Sequence, residues 1–222
     1  MPVTAVLAAG VGARHGWGWA LRSASFRLES SPAGQPALGI LIPHHEDGTA
    51  IVDLLAGMAA PSYGELRVLG EDMRTQRGRA AVRARIGVAH RTGRVRPGIR
   101  IRGLVEHAAR RTRLPRRDRS ALAAAILDRL ALTPWADVPL RAAPDSVGRR
   151  ARLAAAAVHQ PELLLIDGLL DELAPEDAMM LADNIRDVGM DSGIAAAGSD
   201  IDWLALTCGD ILTLADGILV GA

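Results

Sequence analysis

A short run of polar side chains, His44-His45-Glu46-Asp47, stands between an apolar segment and a predicted helix. Imidazole and carboxylate groups are common metal ligands, so a metal site is one interpretation. Adjacent loop residues rarely converge on one ion without a ligand from elsewhere in the chain. We therefore favour a solvated or structural loop over residues 43–48.

Two other oxygen-bearing residues lie at predicted element boundaries. Thr49 begins a predicted helix, where its hydroxyl would either ligate Mg²⁺ or cap free backbone N–H groups. Asp167 follows the apolar run 163–166, and it is either a metal-side carboxylate or a polar strand end stabilised by neighbouring loops. The sequence leaves both pairs of alternatives open.

The segment 10–15, Gly-Val-Gly-Ala-Arg-His, imitates the start of a dinucleotide-binding fingerprint. The third glycine of that fingerprint is missing, and Gly16-Trp17-Gly18-Trp19 follows in place of a helix. We predict that this segment does not bind a dinucleotide.

The densest positive charge is a group of arginines around Pro115, namely Arg110, Arg111, Arg113, Arg116, Arg117 and Arg119. Basic turns of this kind usually form a solvated face. The functional alternatives are contact with acidic residues of a partner or with phospholipid headgroups. No aromatic residues interleave with the arginines, so we predict no nucleic-acid partner.

The elements that position these residues follow from apolar periodicity. Short apolar runs predict buried strands at 37–42, 86–89, 163–166 and 194–198, and alternation predicts half-exposed strands at 23–29 and 65–70. Val3–Leu7 reads as a short strand, and the chain ends in a hairpin over 211–214 and 217–220. Helical spacing covers 49–57, 103–132 with a break at Pro115, 145–159 and 175–188. Strands that alternate with helices predict a largely parallel α/β core, with an antiparallel layer first and a helical lobe inserted in the middle.

Composition narrows the class of protein. The chain has 222 residues, 49% of them hydrophobic, and a formal net charge of +1, which gives no global field for nucleic acid or acidic lipid. All 26 basic residues are arginine. The single Cys208 cannot form an internal disulfide, and no apolar run approaches a membrane span, so we expect a soluble cytosolic chain.

These elements, in this order, resemble the nucleotide-binding domain of ABC transporters over essentially the whole chain. The resemblance rests on Leu54-Leu55-Ala56-Gly57 followed by the segment 60–70, on the segment 159–167 that leads into a Walker B strand, and on the closing segment 210–220. It implies a P-loop NTPase-like ABC ATPase fold with a mixed sheet core, an N-terminal antiparallel β layer and an inserted helical subdomain. We expect one domain, 1–222, with an ATPase-like core lobe (1–90 and 160–222) and a helical lobe (91–159).

The residues at the family's phosphate loop depart from its pattern. Aligned from Leu54-Leu55-Ala56-Gly57, the loop falls on residues 42–50, where only Pro43 and Thr49 match. Gly48 stands at the lysine position, and the chain contains no lysine anywhere. The glycine positions hold Ile42, His45 and Asp47, and the carboxylates of Glu46 and Asp47 would repel a triphosphate.

The other positions that the resemblance identifies are also altered. His15 stands where an aromatic residue would stack on adenine, with Trp17 or Trp19 as substitutes, and Arg91 replaces a glutamine. The signature aligns with residues 143–147 and keeps neither its serine nor its glycine pair. Gly168 and Ser199 occupy the positions of the catalytic glutamate and of the histidine that closes the γ-phosphate site. Loss of both lysine and glutamate removes charge stabilisation and the base that positions water.

The sequence therefore predicts a non-catalytic or impaired ABC-type subunit with no catalytic residue of its own. Vestigial nucleotide contacts would come from His15, Pro43, Gly48, Thr49 and Arg91, and Mg²⁺ ligands from Thr49 and Asp167. ATP and Mg²⁺ would bind weakly. The implied partners are a transmembrane permease and a second ABC-type subunit, identical or different, which would place the chain peripherally on the inner face of the cell membrane. The alternatives are an active ATPase that uses groups supplied in trans, and a soluble scaffolding or regulatory protein.

Overall fold

A computed structural model describes residues 3–16, 18–30, 37–42, 45–93, 95–112, 114–190 and 192–221. Its elements, numbered in chain order, form two sheets and seven α-helices within those residues. Among the described helices, none combines the length and the apolar character needed to span a bilayer.

The first sheet is antiparallel and has the strand order β2-β1-β4-β5. Its strands are β1 (Val3–His15), β2 (Gly18–Ser30), β4 (Tyr63–Val68) and β5 (Glu71–Asp72). The predicted strand Val3–Leu7 was too short, because β1 continues through the glycine-rich stretch. Gly10, at a φ of +57°, lies where the β1–β2 register shifts between Ala8 and Val11, so its glycine serves a bulge within the strand.

The second sheet has six strands in the order β10-β9-β3-β8-β7-β6. Parallel pairing joins β9, β3, β8, β7 and β6, and β10 closes the sheet as the antiparallel half of the terminal hairpin. The strands are β3 (Ala37–Leu41), β6 (Ile86–His90), β7 (Leu163–Asp167), β8 (Gly193–Gly198), β9 (Asp210–Ala215) and β10 (Ile218–Gly221). The mixed sheet, the antiparallel layer and the helices confirm the predicted fold class.

The core lies on both faces of the six-stranded sheet. Leu163 and Leu165 of β7 face a hydrophobic cluster shared with the antiparallel sheet, whereas Leu164 and Ile166 face a second cluster built with the helices. A strand buried on both faces has no polar alternation, which is why β7 reads as a continuous apolar run.

The seven helices are α1 (His45–Leu55), α2 (Gln76–Arg85), α3 (Ile101–Ala109), α4 (Arg116–Arg129), α5 (Asp145–Ala157), α6 (Pro175–Val188) and α7 (Ile201–Thr207). The second cluster buries α3, α4 and α5, which lie in the chain between β6 and β7. The sequence missed α2 and α7. In α2 only Gly78 and Val82 are buried, so helical apolar spacing is absent, and the Thr75 side chain caps the helix at Gly78 N–H.

The predicted loop over 43–48 was wrong in part, because α1 already begins at His45. Pro43 and His44 lie outside the described residues, and of His45, Glu46, Asp47 and Gly48 only the backbone is described. Acidic residue types in a first helical turn are favoured by the helix dipole, which accounts for the earlier start. At the other end, Gly57 has a φ of +70°, as predicted for a glycine that ends the helix.

Candidate functional site

Asp167 is the centre of a small polar group at the carboxyl edge of the six-stranded sheet. β6 and β7 are parallel and pair His90 with Asp167, so both strands end at the same level. One carboxylate oxygen of Asp167, Oδ2, accepts hydrogen bonds from Thr49 Oγ1 at 2.8 Å and from His90 Nδ1 at 3.0 Å. The Asp167 side chain is 14% exposed, so two protein donors replace much of its contact with water.

Helix α1 delivers Thr49 to this group. The helix packs against β7 and β8, and Thr49 is its fifth residue, about one turn beyond the start. The alternative that Thr49 caps the helix is therefore wrong, because its hydroxyl donates across to Asp167 and the helix begins four residues earlier. The strand-end alternative for Asp167, a carboxylate stabilised by neighbouring segments, matches its contacts in this structure.

Arg91, at the glutamine position, closes one side of the site. Its backbone N–H donates to Asp167 O at 2.8 Å, and its guanidinium forms an ion pair with Glu172, with Nη1 to Oε1 at 2.9 Å. Hydrogen bonding to the Glu172 carboxylate raises the pKa of Arg91 above its ordinary value. The position that the resemblance aligns with a glutamine thus carries a cation held by a neighbouring acid.

Gly168, which the resemblance aligns with the catalytic glutamate, has a left-handed backbone. Its φ is +60°, and its N–H donates to Ala197 O at 2.8 Å. A Cβ at this position would lie 3.1 Å from the Asp171 carboxylate and 3.6 Å from Cβ of Arg91. The backbone that leaves β7 therefore favours glycine and leaves little space for a longer side chain.

Asp171 joins Gly168 to Ser199, which the resemblance aligns with the histidine. It is 2% exposed, and its Oδ1 accepts a hydrogen bond from Ser199 N at 3.0 Å. Neither Gly168 nor Ser199 has an imidazole or a carboxylate, so the titratable group between them is the carboxylate of Asp171.

The signature segment, residues 143–147, leads into α5, which begins at Asp145. Asp145 accepts a hydrogen bond from Arg149 Nε at 2.9 Å, and Arg149 is 2% exposed. Arg149 Nη1 also donates to Leu169 O at 3.0 Å. This arginine ties the start of α5 to the turn that follows β7, and it places a carboxylate where a phosphate-binding helix N-terminus would present free N–H groups.

The adenine-stacking candidates lie at the β1–β2 hairpin. His15 ends β1 opposite Gly18, its side chain is not described, and Trp17 lies outside the described residues. The Trp19 ring contacts the Arg14 guanidinium at 4.8 Å from the ring centroid and the Tyr63 ring at 5.4 Å between centroids. Trp19 is thus already engaged by a cation–π contact and an edge-to-face contact. The segment 10–15 continues strand β1, so the dinucleotide turn that it imitates does not form.

Known proteins resemble this chain in sequence. No protein-family model matches the chain. It is 28% identical over 159 residues to Nod factor export ATP-binding protein I of Bradyrhizobium diazoefficiens, a match that covers 72% of this chain and 51% of that protein. It is 25% identical over 178 residues to methionine import ATP-binding protein MetN 2 of Burkholderia mallei, covering 78% of this chain and 44% of that protein.

Solved structures give the same result for the fold. The chain superposes on cbiO1 of Clostridium perfringens, part of the ABC transporter complex cbiONQ, with a TM-score of 0.83 and 17% identity, over 98% of this chain and 87% of that one. It superposes on the ATP-binding cassette MJ0796 in its post-hydrolysis dimer bound to ADP and Pi, with a TM-score of 0.81 and 15% identity, over 96% of each chain. The chain is a homologue of the ABC transporter ATP-binding proteins and has their ATPase fold. It spans about half the length of the curated relatives that it matches.

A fold shared with the ABC ATP-binding proteins raises the question of whether Mg²⁺ and a triphosphate fit these residues. Thr49 and Asp167 supply a hydroxyl and a carboxylate oxygen 2.8 Å apart, which are the donor types that Mg²⁺ prefers. The triphosphate fits poorly, because the chain has no lysine to reach its β- and γ-phosphate oxygens. Among the described residues, no cluster of three or more His, Cys, Asp or Glu side chains could hold a metal ion.

Three residues that shape the site were not predicted from the sequence, namely His90, Asp171 and Glu172. His90 could have been found, since it ends the strand beside β7 and parallel strands end at one edge. Asp171 and Glu172 follow β7 in a turn whose course depends on positive φ values at Gly168 and Glu172. Apolar periodicity carries no signal for such a turn.

Proposed function

We propose that this chain is an ABC transporter ATPase-like subunit that does not hydrolyse ATP on its own. It would act through its interfaces in a transport complex. Its core lobe, 1–90 and 160–222, would supply the ATPase-like framework, and its helical lobe, 91–159, would supply a docking surface.

The proposal rests on the contacts and the residue types at the carboxyl end of β7. The Asp167 carboxylate is already bound by Thr49 and His90, and the next residue is Gly168 with a backbone that favours glycine. A hydrolytic site needs a base there to position water and a cation to offset charge on the transferred phosphoryl group. The chain offers no carboxylate side chain at Gly168 and no lysine at Gly48.

The ion pair between Arg91 and Glu172 supports the same proposal. It occupies the side of the site where a glutamine would contact metal and attacking water, and it holds both charges in a mutual contact. Glu172 is thereby engaged as an acceptor, so it is a poor replacement for the missing base.

The proposed partners follow from the relatives and from the site. The relatives are named for Nod factor export and methionine import, which are transport functions. We propose that this chain docks on a transmembrane permease and pairs with a second ABC-type subunit, either a copy of itself or a competent ATPase. It would then lie on the cytoplasmic side, peripheral to the membrane.

A second function, weak binding of ATP with Mg²⁺, is favoured by one specific contact. The Thr49 hydroxyl lies 2.8 Å from the Asp167 carboxylate, so both would supply oxygens to one Mg²⁺ if His90 moved aside. An active partner subunit could then complete a site with groups supplied in trans.

Two measurements on the purified chain test both functions. They are calorimetric titration with ATP and Mg²⁺, and an assay of phosphate release from ATP. We expect dissociation constants no tighter than the high micromolar range and no phosphate release above a protein-free blank. Thr49→Ala and Asp167→Asn would remove the candidate Mg²⁺ oxygens, and Thr133→Ala, which changes an exposed hydroxyl remote from the site, is the matched control. Submicromolar binding that both site variants abolish would overturn the proposal, and so would phosphate release by the chain alone.

A further inference from the structure

The turn between α3 and α4 carries a group of arginines that the proposed function does not use. Arg110 follows α3, and Arg116 and Arg119 lie on the first turn of α4. Glu106 and Arg110 are four residues apart, as are Arg116 and Ser120, so each pair shares one helical face. The two faces line an open cleft of about 360 Å³ whose walls are Glu106, Arg110, Arg116, Arg119 and Ser120.

Among the described residues, three positive charges in this cleft have no carboxylate partner. Within the described part of the chain, Arg110, Arg116 and Arg119 form no ion pair, whereas the neighbouring Arg117 pairs with Asp118 at 3.2 Å. The one acid in the cleft wall, Glu106, accepts a hydrogen bond from Ser120 Oγ at 3.3 Å. The cleft therefore has an excess of two positive charges, on a protein whose formal net charge is only +1.

The turn is held in place from below by Arg111. Its guanidinium donates to Ile86 O, at the amino end of β6, at 2.8 Å, and to Arg83 O in the last turn of α2. Burial lowers the pKa of Arg111, and its charge points toward the backbone of the core. The cleft is thereby anchored to the core at the sheet edge opposite Asp167, so its charges are separate from the candidate nucleotide site.

An exposed apolar residue stands beside these charges. The side chain of Leu114 is 45% exposed in the turn. Arginines in the same turn as an exposed leucine are typical of a membrane-surface element, in which guanidinium groups meet lipid phosphates and the apolar group enters the interface. An acidic polypeptide would use the same charges but would have no need for an exposed leucine.

We propose that the α3–α4 turn binds the anionic headgroups of membrane phospholipids. Arg110, Arg116 and Arg119 contact lipid phosphates through their guanidinium groups, and Leu114 enters the headgroup region. This contact holds the helical lobe against a lipid surface and is independent of nucleotide.

Vesicle co-sedimentation of the full chain tests this inference. Vesicles of phosphatidylcholine with phosphatidylglycerol are compared with vesicles of pure phosphatidylcholine at low salt. We expect binding only to the anionic vesicles, with a loss of about a hundredfold in the partition coefficient for the triple variant Arg110→Gln, Arg116→Gln, Arg119→Gln. Adding Leu114→Ser to the triple variant should weaken binding further. In the otherwise unmodified chain, Glu106→Gln should strengthen binding about fivefold because it removes the one negative charge in the cleft wall.

The control is a triple variant with the same change in charge, Arg27→Gln, Arg67→Gln, Arg102→Gln, whose arginines form exposed ion pairs elsewhere. Equal binding by the two triple variants would overturn the inference, as would equal binding of the unmodified chain to both kinds of vesicle. Soluble poly-glutamate and inorganic phosphate are added as competitors. If the chain binds poly-glutamate but no vesicle, the turn recognises an acidic polypeptide and the lipid assignment is wrong. The strengthened binding of Glu106→Gln keeps the inference testable if the cleft triple variant fails to fold.

Discussion

The two edges of the parallel strands are built in different ways. At the amino edge, His159 and Ser192 bond to backbone carbonyl groups, through Nε2 to Ile86 O at 2.9 Å and through Oγ to Pro161 O at 2.6 Å. At the carboxyl edge, the Asp167 carboxylate bonds to the side chains of Thr49 and His90. The amino edge thus stabilises the fold, and the carboxyl edge satisfies the polar groups of a site.

This difference shows how a fold can be kept while the chemistry at its site changes. A backbone carbonyl at the amino edge needs its donor whatever the protein does, because an unsatisfied buried acceptor is costly. Side chains at the carboxyl edge are satisfied either by a ligand or by hydrogen bonds to each other. In our proposal they have become partners of each other, and substitutions there should cost less stability than substitutions at the amino edge.

The largest effect is expected at the amino edge for Gly87→Ala. A Cβ on Gly87 would overlap the carbonyl oxygen of Ala156, so β6 and α5 would have to move apart. We expect the free energy of unfolding in urea to fall by about 3 kcal/mol or more. Gly209→Ala is the matched control, because no heavy atom lies within 4 Å of its added Cβ, and it should change stability by less than about 0.5 kcal/mol. Similar losses of unfolding free energy in both variants would contradict the close packing that we infer at Gly87.

The next largest effect is expected at the carboxyl edge for Gly168→Glu. This variant places a glutamate where the resemblance aligns the catalytic glutamate. The φ of +60° should cost about 1–2 kcal/mol of stability, and the new side chain would begin 3.1 Å from the Asp171 carboxylate. We expect no gain in phosphate release from ATP, since the lysine is still absent. Gly168→Ala separates the backbone cost from the charge, and it should lose a similar amount of stability. ATP turnover by Gly168→Glu alone would show that the site needs only its base.

The sequence predicted the strands and helices of the core better than the contacts at the edges of the sheet. Buried strands such as β7 and β8 were found because their apolar runs have no other explanation, and α6 was placed correctly at Pro175–Val188. The paired positive φ angles at Asp216 and Gly217 confirm the predicted hairpin turn. These features depend on residues close together in the chain.

The contacts of the candidate site could not be predicted in the same way. Thr49 and Asp167 are 118 residues apart, and Arg91 and Glu172 are 81 residues apart. Their contacts depend on strand order and on the turn after β7, neither of which apolar spacing records. The early start of α1 was missed because residues 43–48 have the composition of a loop, whereas the helix begins at His45.

A smaller effect, on pH dependence, is expected from His159 at the amino edge. Burial, and then the charge of Arg111, lower the pKa of His159 below its ordinary value of 6.5, so the folded chain keeps the neutral ring. Above pH 6.5 the ring is neutral in both states, and its contribution to stability is fully present. Below pH 6.5 the unfolded chain takes up the proton first, so stability should fall by up to about 1.4 kcal/mol per pH unit. Urea unfolding at pH 7.5 and 5.5 measures this slope, which His159→Gln should reduce; an unchanged slope would assign the pH dependence to other groups.

The smallest effect is expected for the ion pair of Arg85 with Glu162, which joins the end of α2 to the residue before β7 at the amino edge. Arg85 donates through Nε and Nη2 to the two oxygens of Glu162, each at 2.7 Å, yet the side chains are 35% and 55% exposed. Water therefore screens the pair, and a double-mutant cycle with Arg85→Gln and Glu162→Gln should give a coupling energy of about 0.5 kcal/mol that declines in 0.5 M salt. The backbone bond from Glu162 N–H to Arg85 O, at 2.8 Å, survives both substitutions. A coupling energy above about 2 kcal/mol would mean that side-chain pairing, rather than bonds to backbone groups, holds the amino edge together, and the contrast between the two edges would then be lost.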